Sequence, residues 1–205
     1  MTSIDQVMRM APVIPVLVLD DGGVDPVALA ETLVANGLPV IEVTLRTPNA
    51  LAAMKAMAKV PGAFVGAGTV TSADQFRQVV DEGAKFVVSP GLTEKLGRAA
   101  LDSGTAYLPG IANSADILLG MELGLDRFKF FPAEANGGLK ALAALAAPFF
   151  DARFCPTGGV TEASAPAWLA HPAVLCVGGS WILPAGEHDL AAIGARAKAA
   201  SQLAA

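Results

Sequence analysis

A lysine stands inside the phenylalanine run of DRFKFFPAE, residues 126–134. An ammonium among aromatic rings loses its water, and burying a charge is costly. Alternation along an extended segment puts Lys129 and Phe131 on one face and Phe128 and Phe130 on the other. If Phe128 and Phe130 pack outward on helices, the amine points inward. Desolvation and a nearby cation such as Arg46 both favour the neutral amine over the ammonium. A neutral amine attacks carbonyls and forms Schiff bases. A lysine that merely snorkels to solvent needs a route to water, and the flanking apolar residues offer little. The other lysines are poorer nucleophiles: Lys55, Lys59, Lys95, Lys140 and Lys198 fall in helical segments, and Lys85 opens a strand at the wrong end.

The stretch VIEVTLRT (40–47) carries a second set. Glu42, Thr44 and Arg46 share one face, while Ile41, Val43 and Leu45 share the other. An inward carboxylate and guanidinium are costly unless they pair or serve a site. At ~3.3 Å per residue Arg46 stands ~13 Å beyond Glu42, so Glu42 is expected deep in a pocket and Arg46 at its mouth. A Glu–Arg pair that only holds the fold together is the plainer alternative, and the position at a strand end favours function. A third set is TGG (157–159) with GGS (178–180). Glycines let backbone N–H groups approach an anion, and a following helix N-terminus adds its positive end. Tight turns also use glycine, but two such sequences at successive strand ends favour a phosphate cradle. It comprises Gly158, Gly159, Gly178 and Gly179, with the Ser180 hydroxyl as a further donor. Together the sets describe an aldolase or lyase site: an amine, a proton-carrying carboxylate, an arginine for a substrate carboxylate, and a phosphate cradle. No metal or cofactor is called for.

The elements that must position these residues are legible as alternation. Strand candidates are 13–19, 40–45, 64–70, 86–90, 106–111, 127–132, 153–159 and 174–180. Between them lie helical stretches such as VDPVALAETLVANG, TSADQFRQVVDEG and NSADILLGMELG, opened by Pro or a polar cap and closed by Gly. Repeated strand–helix units mean a parallel sheet. Eight of them predict an α/β fold, a compact single-domain (β/α)₈ TIM barrel over residues 1–205, with a doubly wound open sheet as runner-up. The Ala-rich tail AAIGARAKAASQLAA reads as the last helix closing the ring. Sites in such barrels form at the carboxyl ends of the strands. Those ends are Glu42 to Arg46, Gly68 and Thr69, Ser89 and Pro90, Pro109 and Gly110, Lys129 and Phe131, Thr157 to Gly159, and Gly178 to Ser180.

Composition narrows the partners. The chain has 205 residues, 53% hydrophobic and 16% charged, which suits a large core and excludes disorder. A net charge of −5 without a Lys/Arg cluster gives no reason to expect nucleic acid or an anionic membrane. Cys155 and Cys176 lie in apolar strand-like runs and read as reduced core thiols. His171 and His188 lie in loop-like text, with no metal-binding spacing. The start, MTSIDQVMRM, has no signal-peptide pattern, and Gly, Pro and charges break every apolar run. A soluble cytoplasmic protein is expected.

IEVTLRT (41–47), GAGTV (66–70), SPGLTE (89–94), FKFFPAEANGG (128–138), FCPTGG (154–159) and CVGGSW (176–181) resemble the 2-keto-3-deoxy-6-phosphogluconate (KDPG) and 4-hydroxy-2-oxoglutarate (KHG) aldolases, class I Schiff-base enzymes. The resemblance runs from about residue 11 to the C-terminus, and FKFFPAEANGG is its most specific part. It implies a homotrimeric barrel in the Entner–Doudoroff pathway. Such an enzyme cleaves a phosphorylated 2-keto acid to pyruvate and glyceraldehyde 3-phosphate, without cofactor or metal. By motif match, Lys129 is the Schiff-base lysine and Glu42 the proton shuttle. Arg46 and Thr69 hold the pyruvyl carboxylate, and Pro90 and Phe131 line the pocket. Thr157 approaches the substrate, and Gly158, Gly159 and Ser180, with Gly179 of the same GGS, bind phosphate. Rival readings are a galactonate-specific aldolase, which should lack FCPTGG, a phosphate-binding barrel isomerase or synthase, and a non-catalytic metabolite-binding barrel.

Overall fold

A computed structural model describes residues 2–19 and 22–204. The chain opens with a short helix, α1 (Ile4–Met8), started by a reciprocal Ser3–Gln6 capping box. Strands β1 (Val13–Leu17), β2 (Val40–Thr44), β3 (Phe64–Gly68), β4 (Phe86–Val88) and β5 (Ala106–Leu108) follow, paired in parallel in that order. Pro109 has no N–H to donate, and the fifth strand breaks there. It resumes as β6 (Gly110–Ile111), beside β7 (Arg127–Phe130) and β8 (Arg153–Pro156). The Pro109 carbonyl still accepts from Lys129 N at 2.8 Å. Finally β9 (Val177–Gly179) pairs with β1, and parallel bridges Phe154–Val174 and Thr157–Gly178 join it to the β8 side. With β5 and β6 counted as one broken strand, the ring closes as an eight-stave barrel.

One helix follows each stave among the described residues: α2 (Pro26–Ala35), α3 (Ala50–Met57), α4 (Ala73–Asp81), α5 (Glu94–Ser103), α6 (Ser114–Glu122), α7 (Gly138–Ala146), α8 (Ala165–Leu169) and α9 (Leu190–Ser201). Their starts obey the expected chemistry. Asp25, Ser72, Thr93, Asn113 and Asp189 each accept a first-turn N–H. None of these helices is long and apolar enough to cross a membrane.

Parallel strands buried on both faces read as continuous apolar runs, which is why the staves were visible in the sequence. Their outward side chains pack on one another and on the helices: Phe128 tilts against Phe154 of β8, and Phe130 against Trp168 of α8. Each such ring contributes about 1.5–3 kcal/mol by leaving water. The inward side chains form a separate cluster with Val7, Met8, Ile14, Val40, Phe86, Val88, Ala106, Leu108, Cys155 and Cys176. Helix α1 thus plugs the amino end of the barrel, and Asp5 on it pairs with Arg127 at 2.6 Å. The polar end that remains is the carboxyl end.

Several boundaries differ from expectation. Every strand except the fifth, which ends at Ile111 as expected, stops earlier than its apolar run, because the last residues of the run turn into the βα loop. Helix α1 was not anticipated, being too short for periodicity to reveal. Lys59 lies in the turn after α3 rather than in the helix. Both cysteines are free and buried. A hydrogen bond to Cys155, together with burial, holds the Cys176 thiol well above its ordinary range. His188 is exposed and His171 half-buried, its Nδ1 accepting from Ala173 N at 3.2 Å.

Candidate active site

Strands β2 and β7 stand opposite each other in the ring, and their inward polar residues meet. Lys129 Nζ lies 3.0 Å from Glu42 Oε1 and 3.4 Å from Oε2. Both side chains are nearly water-free, 5% and 4% exposed. Parity therefore predicted both orientations. Desolvating two charges makes a buried pair a poor device for stability alone. The arrangement needs space, and β3 provides it. Gly66 and Gly68 share its inward face, and a Cβ at Gly68 would overlap the Glu42 carboxylate. Glycine inside a strand marks such close approach. The GAGTV text therefore carried a signal for Gly68 that had placed it only among strand ends.

Arg46 corrects one expectation. The strand ends at Thr44, so strand parity does not extend to Arg46, which sits exposed in the following turn. Its Nε donates to Thr69 Oγ1 at 3.1 Å. The nearest charge to the amine is thus the Glu42 carboxylate, where a cation had been expected. Thr44 is fully buried, and its hydroxyl donates to Leu17 O at 2.8 Å, tying β2 to β1. Thr69 has φ 59°, the one positive φ outside glycine among the described residues. A β-branched residue held there stores about 1–3 kcal/mol of strain, and such strain clusters at functional sites.

Phe131, just beyond β7, turns its ring toward the amine, with Nζ 5.3 Å from the centroid. Gly158 abuts the same residue: a Cβ on it would lie 3.2 Å from the Phe131 ring. The TGG loop is thereby continuous with the lysine pocket. Thr157 is buried, its N–H bonding Phe130 O at 3.0 Å and its hydroxyl close to Cys155 O at 3.4 Å. Gly158 and Gly159 have φ of 94° and 83°, a left-handed pair that only glycine adopts without strain. Gly159 and Ser180 border an open cleft of about 590 Å³, lined also by Val16, Val160, Trp181 and Leu183. Gly179 is buried beneath the Trp181 ring, with no room for a Cβ. Neither Lys129 nor Glu42 lines this cleft. The helix N-terminus that follows these glycines is that of a single 3₁₀ turn (Ser180–Ile182) beginning directly after Gly179, whereas α8 begins only at Ala165.

Pro90 sits half-buried at the rim, its carbonyl so close to Gly110 that no Cβ fits there. Neighbouring Ser89 explains the fixed rim. Its hydroxyl donates to Gly91 O at 2.6 Å and contacts the buried Tyr107 hydroxyl at 2.7 Å. Burial pushes the Tyr107 hydroxyl up to about 12 despite the Ser89 bond, which acts in the other direction. The motif reading missed Tyr107, because a lone tyrosine in an apolar strand carries no marker. Among the described residues, no group of three or more His, Cys, Asp and Glu is placed to hold a metal ion.

Comparison with known proteins yields a consistent picture. A family model described as KDPG and KHG aldolase matches residues 4–196. The 2-dehydro-3-deoxy-phosphogluconate aldolase of Zymomonas mobilis is 59% identical over 201 residues, covering 98% of this chain and 96% of that protein. A crystal structure of the Zymomonas mobilis ZM4 aldolase with 3-phosphoglycerate superposes with a TM-score of 0.95 at 58% identity, covering 98% of this chain and 95% of that one. KDPG aldolase from Legionella pneumophila, crystallised with pyruvate captured as a covalent carbinolamine, gives a TM-score of 0.94 at 40% identity, covering 98% of this chain and 99% of that one.

Proposed function

This chain belongs to the KDPG and KHG aldolase family, and from that premise we propose that Lys129 forms the Schiff base and Glu42 carries its protons. The observation that carries this assignment is the buried 3.0 Å contact between them. The substrate is a 2-oxo acid, 2-dehydro-3-deoxy-6-phosphogluconate, with 4-hydroxy-2-oxoglutarate as a second. Arg46 and Thr69 receive the carboxylate of the pyruvyl half, Pro90 and Phe131 wall the pocket, and Thr157 approaches the substrate. Gly158, Gly159, Gly179 and Ser180 hold the phosphate. The Gly158–Phe131 contact supports this division, because Gly158 stands one ring away from the amine.

The chemistry follows from the pair. A proton passes from the Lys129 ammonium to Glu42 across their hydrogen bond, leaving a neutral amine. Its nitrogen adds to the C2 ketone to give a carbinolamine, and the Glu42 proton leaves with the hydroxyl as water. The resulting iminium is an electron sink. Glu42, now a carboxylate, takes the C4 hydroxyl proton. The C3–C4 electrons flow toward nitrogen, giving an enamine and releasing the aldehyde. Glu42 returns its proton to C3, and water hydrolyses the iminium to free pyruvate and the amine. Acid–base help of this kind is worth about 10²–10⁴-fold.

A homotrimer in the cytoplasm belongs to the same proposal. Leu101, Leu118, Met121 and Phe150 leave apolar surface exposed on the outer helices and loops, surface of the kind subunits cover. Steady-state pyruvate release tests the assignment. Lys129→Ala should lose essentially all turnover, and Glu42→Gln should fall about 10²–10⁴-fold. Turnover by Lys129→Ala near the parent rate refutes it.

A further inference from the structure

Glu134, in the loop after β7, has no part in the steps above, yet it is tied to the TGG loop twice. Its backbone N–H donates to Gly158 O at 3.0 Å, beside the Ala133 N–H bond to Thr157 O at 2.7 Å. Its side chain lies against Gly159 so closely that a Cβ there would come within 2.6 Å of Glu134 Cβ and 2.7 Å of Cγ. The carboxylate is held in turn: Glu134 Oε1 accepts from Trp168 Nε1 at 3.1 Å. Trp168, on α8, is 2% exposed and packs on Phe130, the residue next to the lysine.

A carboxylate is an unfavourable neighbour for a phosphate, since like charges repel. A residue chosen only to bind an anion would not be acidic. Glu134 makes sense as an anchor, with one oxygen committed to the indole N–H on the α8 side. An anchor is needed. Two consecutive glycines in left-handed conformation have little preference of their own for one shape, so the loop must be held from outside.

We propose that Glu134 and Trp168 are a positioning pair that holds the Gly158–Gly159 loop in its phosphate-accepting shape, and so sets the preference for phosphorylated over unphosphorylated 2-oxo acids. The inference rests on the phosphate cradle assigned under the proposed function.

Steady-state kinetics on 2-dehydro-3-deoxy-6-phosphogluconate and on 4-hydroxy-2-oxoglutarate, side by side, test it. Trp168→Phe keeps the ring and deletes the donor. Glu134→Ala removes the acceptor, and Glu134→Gln keeps an acceptor oxygen. Trp168→Phe and Glu134→Ala should each raise KM for the phosphorylated substrate by about fivefold, as expected for one lost hydrogen bond. kcat should be nearly unchanged, and the constants for the unphosphorylated substrate should stay within about twofold. Glu134→Gln should restore the parent KM. Equal effects on both substrates, or none on either, in a parent that prefers the phosphorylated substrate overturn the positioning role alone. A parent that shows no such preference and no competition by inorganic phosphate overturns the cradle itself, and the inference with it.

Discussion

Adding one methyl at Gly68 should separate the acid–base pair without deleting either member. An ideal Cβ there lies 2.7 Å from both Cγ and Cδ of Glu42. Ordinary carbon contact begins at about 3.5 Å, and Oε1 is overlapped more deeply still, so the carboxylate must withdraw by about 1 Å. It sits on an inward strand position, walled by barrel side chains, and its escape is away from the methyl. Misplacement on the order of 1 Å costs about 10²-fold in rate. Gly68→Ala should therefore lower kcat about 100-fold, while overpacking costs about 1–3 kcal/mol of stability. Gly66→Ala is the matched control. Gly66 is the register partner of Glu42, but its added methyl runs first into the Phe86 ring and carbonyl rather than into the Glu42 carboxylate. Pyruvate release coupled to a reporter reaction gives kcat, and urea unfolding gives stability. Gly66→Ala should lose at least as much stability and far less kcat per folded molecule. If the two variants lose kcat alike, or Gly68→Ala stays within threefold of the parent, the reasoning about the carboxylate's space is wrong.

Other consequences are open to measurement. Arg46→Ala should raise KM for pyruvate in the aldol-addition direction by about tenfold or more, since hydrogen bonds to charged groups contribute about 1.5–3 kcal/mol; an unchanged KM removes Arg46 from carboxylate binding. The hydrogen bond from Arg9, then Arg127, holds the Asp5 carboxyl below its ordinary value. A depressed carboxyl stabilises the fold above its unfolded pKa, and that contribution is lost as pH falls through the lower folded value. Asp5→Asn should thus be less stable than the parent at pH 7, and the difference should shrink below pH about 4 in thermal melts. Tyr107 is the only tyrosine in the chain, so ultraviolet titration reads it alone. With its hydroxyl pushed up to about 12, no tyrosinate signal should appear near pH 10 while the protein is folded, and the stability that this raised value contributes should fade as pH rises toward it.

Much of the site was legible because a parallel barrel imposes simple rules. Side-chain parity located Glu42 and Lys129 inside, and the carboxyl-end rule gathered Thr69, Pro90, Phe131 and the glycine loops. Parity failed at Arg46, where the strand had already ended. The apolar text continues through Leu45, and nothing local marks the turn. Features that depend on contacts between distant segments were not legible at all. The Glu134–Trp168 bond spans 34 residues, and the Ser89–Tyr107 contact spans two staves. Helix α1 was hidden for another reason: it is a one-turn plug, held by Asp5–Arg127 and by burial of Val7 and Met8 rather than by helical periodicity.

The central claim is that one amine, at position 129, becomes covalently bound to the substrate carbonyl. Borohydride reduction in the presence of pyruvate, followed by peptide mapping by mass spectrometry, tests it directly. A single reduced pyruvyl adduct on Lys129, with activity lost in step, is the predicted result. An active protein that gains no adduct, or gains it on another lysine, would contradict it.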